Sequence, residues 1–148
     1  VLGDSSKVRY TPLSSAQRFT ALQTGEVDVL SRNTTITFQR DAQLGIEFPA
    51  VDWYDGTAFL VRKALNAKSV KDLDGATICV NQGTTTELDV ADYFHERRLR
   101  FAPVVIERLE ETVSAYFAGR CDALATDQSA LAGAPARRTR TSTRSFRS

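Results

Sequence analysis

Apolar positions along this chain recur at two spacings, and the spacing switches from segment to segment. Short apolar runs at 27–31, 76–80, 104–107 and 123–126 read as strands. Between them, Phe19 and Leu22, then Leu88, Ala91 and Phe94 with Val90 and Tyr93, then Leu109, Val113, Tyr116 and Phe117, fall on helical faces. Ser14 and Gln17 have capping-box spacing, and Gly25 ends the first helix. Thr37 caps a short helix running toward Gly45. Residues 7–11 predict a short strand, 47–49 and 54–61 extended chain with Leu60 and Val61 most buried, and 70–73 one helical turn. The strand–helix alternation after residue 76 predicts a parallel sheet with right-handed crossovers. In such sheets ligands bind beyond the carboxyl ends of the strands. Gly83 to Thr85 follow one strand end and Asp127 follows another, so both fall on the same rim.

Three polar clusters ride on this frame. Thr34-Thr35-Ile36-Thr37 leads to Arg40, Gln82-Gly83-Thr84-Thr85-Thr86-Glu87 opens a helix, and Gly119-Arg120-Cys121-Asp122 precedes Thr126-Asp127. Together they offer hydroxyls, a guanidinium, N–H groups at a helix start and a carboxylate, a receptor set for a small zwitterion. Each has a plainer reading: Arg40 as a surface arginine, Thr84 to Thr86 as an N-cap cluster, Asp127 as a helix cap. A cap and an anion site are compatible, since both use the same N–H groups.

Composition narrows the classes. The chain has 148 residues with 42% hydrophobic content, enough for a packed core. No apolar run approaches the roughly 20 residues that span a bilayer, and no signal-peptide pattern opens the chain. Net charge is +1, yet five arginines and no acid lie in residues 137–148, so the rest carries −4. An acidic body argues against nucleic acid as the main partner. Two cysteines and one histidine cannot make a four-ligand Cys/His zinc site without carboxylates. A Cys79–Cys121 disulfide needs Cα atoms within about 7 Å. Unequal distances from the sheet rim weigh against that register, so the pairing stays open. His95, beside Glu96, Arg97 and Arg98, reads as a solvated surface residue far from the rim, and Glu110-Glu111 with Arg108 as a solvated helix face. No catalytic constellation, metal set or cofactor motif is identified.

The ordered set Asp28-Val29-Leu30, Thr34-Thr35-Ile36-Thr37 with Arg40, Gly83-Thr84-Thr85, and Gly119-Arg120-Cys121-Asp122 with Thr126-Asp127 resembles the family 3 periplasmic solute-binding proteins. Gly3-Asp4, Arg18-Phe19-Thr20-Ala21-Leu22 and Tyr54-Asp55-Gly56 extend the resemblance, over about residues 1–132, to the general L-amino-acid-binding subfamily. It implies an α/β fold of two lobes with parallel-dominated sheets joined by hinge strands, both lobes incomplete here. Residues 1–54 would be a partial lobe 1, 55–68 the hinge crossing and linker, and 69–133 a partial lobe 2. The resemblance puts Arg40 on a ligand carboxylate, with Thr35, Asn33 and Thr85 beside it and Asp127 on the ammonium. The implied role is a periplasmic receptor that delivers a polar L-amino acid, such as Glu, Gln, Asp or Asn, to a membrane ABC permease.

Departures from the pattern carry their own expectations. Set against the family's pattern, the opening strand of lobe 1, the returning hinge strand and the last helices are expected to be missing from these 148 residues. Arg32 stands where many members have a small residue, and it is expected to reach water rather than ligand. Residues 134–148 lose all periodicity; read one base out of frame, the codons for 139–148 can spell a continuation like the family's. The tail is therefore expected to be a frameshift product, which an intact frame in the source DNA would exclude. Two other classes are weighed: an enzyme of the same fold, such as a cyclohexadienyl-type dehydratase, which needs a general acid in the cleft, and a fragment without activity.

Overall fold

The computed structural model of the chain describes residues 3–133 and 143–147. Five strands form one mixed sheet: β1 (Thr57–Arg62), β2 (Ala76–Asn81), β3 (Phe101–Ile106), β4 (Ala123–Asp127) and β5 (Thr143–Arg147), in the order β3-β2-β4-β1-β5. Five helices accompany them: α1 (Arg18–Gln23), α2 (Phe38–Leu44), α3 (Thr85–Glu96), α4 (Leu109–Phe117) and α5 (Gln128–Gly133). β2 runs parallel to β3 and to β4, with α3 and α4 as the crossovers. The parallel sheet expected of the strands after residue 76 is formed by these three. β1 is antiparallel to β4, and β5 is antiparallel to β1.

The sheet is covered on both sides, which is why its strands read as continuous apolar runs. Alternation divides β1 cleanly. Phe59 and Val61 join Ile78, Val80, Val90 of α3 and Phe94 on one face; Ala58 and Leu60 join Cys79, Leu124, Ala115 of α4 and Tyr116 on the other. Phe94 and Tyr116 are both fully buried, and burial of the Phe94 ring stabilises by about 1.5–3 kcal/mol relative to an exposed side chain. The buried stripe of α3 is Thr86, Val90 and Phe94; Leu88, expected inside, is exposed. β3 starts earlier than its apolar run suggested and contains Pro103, which an edge strand tolerates because the missing N–H faces no neighbour.

Before β1 the expected strands are not formed. Residues 5–7 make a 3-10 turn capped by Asp4, and 8–11 and 27–31 form no ladder. An apolar run becomes a strand only beside a hydrogen-bonding partner, and Val29 is accordingly 79% exposed. The helical expectations hold: Ser14 and Gln17 exchange cap bonds, Thr37 accepts from the Arg40 N–H, and Gly45 closes α2 with φ +62°.

Cys79 and Cys121 form a disulfide with Cα atoms 5.7 Å apart. The register objection failed because Cys121 lies in the turn before β4 and is not bound by the ladder. That turn is fixed by Asp122, whose carboxylate accepts from the Thr77 N–H at 2.8 Å and the Thr77 hydroxyl at 2.6 Å. Residues 134–142 and 148, most of the expected frameshifted tail, lie outside the described residues. Residues 143–147, read as aperiodic, form β5.

Candidate functional site

The site begins where β2 turns into α3. Gly83 takes φ +73°, and a Cβ there would meet the Ala16 Cα at 3.1 Å and the Ser15 carbonyl at 3.2 Å. Only glycine lets these two stretches of backbone approach so closely. Thr84 is the N-cap of α3: its hydroxyl donates to the Asn81 carbonyl and accepts from the Glu87 N–H. Glu87 reaches back to accept from the Gly83 N–H at 2.8 Å, so one donor expected for an anion is already bonded.

Four of the five residues singled out in the sequence line one cleft of about 550 Å³: Asn33, Thr35, Thr85 and Asp127. They meet as two pairs across it. The Asn33 side-chain amide donates to the Asp127 carboxylate at 2.9 Å, and the Thr35 and Thr85 hydroxyls lie 3.1 Å apart. Trp53 and Tyr54, both exposed, line the same cleft, and Asp89 accepts from the Thr57 hydroxyl there.

Arg40, the fifth, stands behind the lining. It is 9% exposed, its Nη1 donates to the Thr35 carbonyl at 2.7 Å, and its guanidinium lies 4.9 Å from the Phe19 ring centroid. One bond leaves most of a five-donor fork for an anion. Burial lowers its pKa from the ordinary arginine value, and the Asp89 charge opposes that fall. Arg32 is not the solvated arginine expected. It is half-buried and donates to the Leu13 carbonyl, the Ser15 hydroxyl and the Asn33 side-chain oxygen.

Sequence reasoning missed Arg18 as a site residue. Arg18 is 1% exposed, and its guanidinium donates from Nη1 to the Asn33 carbonyl at 2.9 Å and from Nη2 to the Gly83 carbonyl at 3.2 Å. Burial, with the charges of Arg40 and Arg32, brings its pKa down to about 10. The available signal was the Arg18-Phe19 pair opening a short helix that also carries Ala21 and Leu22. Phe19 carries both guanidiniums, with Arg18 4.7 Å from the same ring. Ser15 completes the contact, its buried hydroxyl donating to Asn81 Oδ1 at 2.8 Å.

The site therefore sets buried arginines behind one loop and places carboxylates across the cleft, an arrangement that complements a dipolar ligand. Among the described residues no His/Cys/Asp/Glu cluster fits a metal ion, and no helix is long and apolar enough to cross a membrane.

A cleft at the rim of an α/β sheet, closed by the loop that carries Asn33 and Thr35, is the ligand site of a solute-binding fold. A periplasmic binding protein from Brucella ovis, solved with glutathione bound, superposes with a TM-score of 0.85 at 44% identity, covering 99% of this chain and 51% of that one. The chain belongs to the bacterial extracellular solute-binding proteins, family 3, whose sequence profile matches residues 2–134. It is 59% identical over 131 residues to the general L-amino acid-binding periplasmic protein AapJ of Rhizobium johnstonii, covering 88% of this chain and 38% of that protein. It is 52% identical over 136 residues to the glutamate/glutamine/aspartate/asparagine-binding protein BztA of Rhodobacter capsulatus, covering 92% of this chain and 40% of that one. The chain thus spans about two-fifths of the length of these curated relatives.

Proposed function

We propose that this chain is the ligand-contacting part of a periplasmic receptor that captures a polar L-amino acid between two lobes and delivers it to an ABC permease. The observation that carries the reading is the meeting of Asn33 with Asp127 and of Thr35 with Thr85 across one cleft, with Arg40 behind Thr35. An amino acid entering there exchanges these pairs for its own charges. Its ammonium replaces the Asn33 amide on Asp127, and its carboxylate meets Thr35, Thr85 and the spare Arg40 donors. Residues 1–54 and 69–133 serve as the two lobes and 55–68 as the crossing between them. Contacts made to both lobes shift the open–closed equilibrium toward the closed form. Glutamate, glutamine, aspartate and asparagine are the leading ligands, in line with the name of the Rhodobacter relative. The buried Cys79–Cys121 disulfide supports an oxidising compartment such as the periplasm. A binding role is favoured over an enzyme because the close relatives are named as binding proteins.

The test is thermal unfolding of the chain with a panel of L-amino acids and glutathione. Ligand at a hundredfold excess over Kd stabilises by about 2.7 kcal/mol, a rise of several degrees in Tm. The rise is expected for the four named amino acids and is lost in Arg40→Ala and Asp127→Ala. A rise for glutathione alone would make a tripeptide the ligand, and a rise retained in both variants would remove these residues from the site.

A further inference from the structure

The geometry points to Arg18 as a positioning residue for the ligand cleft, holding the segment that carries Asn33 and Thr35 against the turn that carries Thr85. This rests on the receptor reading above. Arg18 is not itself a lining residue of the cleft, yet one of its two bonds ends on the main chain of a lining residue, at the Asn33 carbonyl, and the other on the Gly83 carbonyl, two residues before the lining residue Thr85. These carbonyls lie 50 residues apart in sequence, and one planar fork reaches both. A point charge such as ammonium lacks that fixed spread.

The neighbouring contacts agree. Gly83 approaches the Ala16 and Ser15 backbone too closely for any side chain, and Ser15 bonds buried Asn81 at the end of β2. The start of α1 therefore lies directly against the β2–α3 turn. Arg18 fixes the Asn33 carbonyl while the Asn33 side chain reaches Asp127, so moving the first displaces the second. Phe19, shared by Arg18 and Arg40, ties the same group to the arginine behind Thr35. The contact joins the two proposed lobes at a place separate from the ligand's own bonds. Its effect is to preset the distance between the jaws before the ligand closes them.

The test uses the full 148-residue chain, with isothermal titration of L-glutamate and L-glutamine below the unfolding range of each variant. Arg18→Lys keeps the charge and loses the fork; Gly83→Ala obstructs the same contact from the other side without emptying a buried site. Each is expected to weaken ligand binding about tenfold or more, one lost charge-assisted bond being enough for that. A merely structural arginine lowers Tm and leaves the Kd of the folded protein unchanged. A double-mutant cycle supplies the second readout. Asn33→Ala weakens binding in the parent chain and costs clearly less in the Arg18→Lys background, because its side chain is then already misplaced. Additive losses, or wild-type affinity in both folded variants, would overturn the proposal while leaving the receptor reading intact. A parent chain that binds neither amino acid nor any other in the panel would overturn both.

Discussion

At the residue scale, Asp122 and Arg62 show how much of the fold depends on single polar side chains meeting main chain. Asp122 accepts from both the N–H and the hydroxyl of Thr77, and these bonds hold its pKa below the ordinary 3.8. A carboxylate with a depressed folded-state pKa adds stability that is complete above its unfolded value and disappears as pH falls through the lower folded value. Acid titration of the fold, followed by circular dichroism, should therefore show a loss below pH 3.8 that is smaller in Asp122→Asn. At neutral pH the same substitution is expected to cost about 1–2 kcal/mol, the usual range for charged hydrogen bonds at a partly exposed site. Arg62 donates to the Tyr116 carbonyl at 2.6 Å and lies over its ring, while the buried Tyr116 hydroxyl has no partner and its pKa rises to about 12. Tyr116→Phe should thus be neutral or slightly stabilising in urea unfolding, because it removes an unsatisfied buried hydroxyl and little else.

At the scale of elements, local signals were legible wherever a cap, a glycine or a helical stripe specified them. Thr37 with Gly45, Thr84 with Glu87, and Gly119 after α4 all do what their types imply. Thr84→Ala should destabilise α3 by about 0.5–2 kcal/mol and loosen Thr85 with it, so chemical denaturation and ligand affinity should both respond. What the sequence did not carry is pairing. The runs at 27–31 and 7–11 look like strands by composition, yet only partners make a strand, and no ladder forms there. Thr85 and Asp127 were legible because the one follows the end of β2 and the other ends β4, where this class of fold places ligand contacts, whereas Asn33 and Thr35 follow no strand and were placed by the family resemblance. Arg18 was not, since burial of an arginine depends on carbonyls 15 and 65 residues away along the chain.

At the scale of the whole molecule, the sheet and its two helical layers form one body, and the segments before β1 are fastened to it by polar contacts such as Ser15–Asn81 and Arg18–Gly83. The Cys79–Cys121 bond adds a covalent tie inside the sheet layer. It joins residues 42 apart in sequence, a loop closure worth about 4 kcal/mol in the chain-entropy view. The same bond decides how the molecule falls apart under a protease. The exposed turn at Arg97 and Arg98, where Arg98 holds φ +56°, lies between the two cysteines. Brief trypsin treatment that cuts there should leave one band on a non-reducing gel and two after reduction. A chain prepared under reducing conditions would give two bands in both lanes, so a single gel reports whether the polypeptide matured in an oxidising environment.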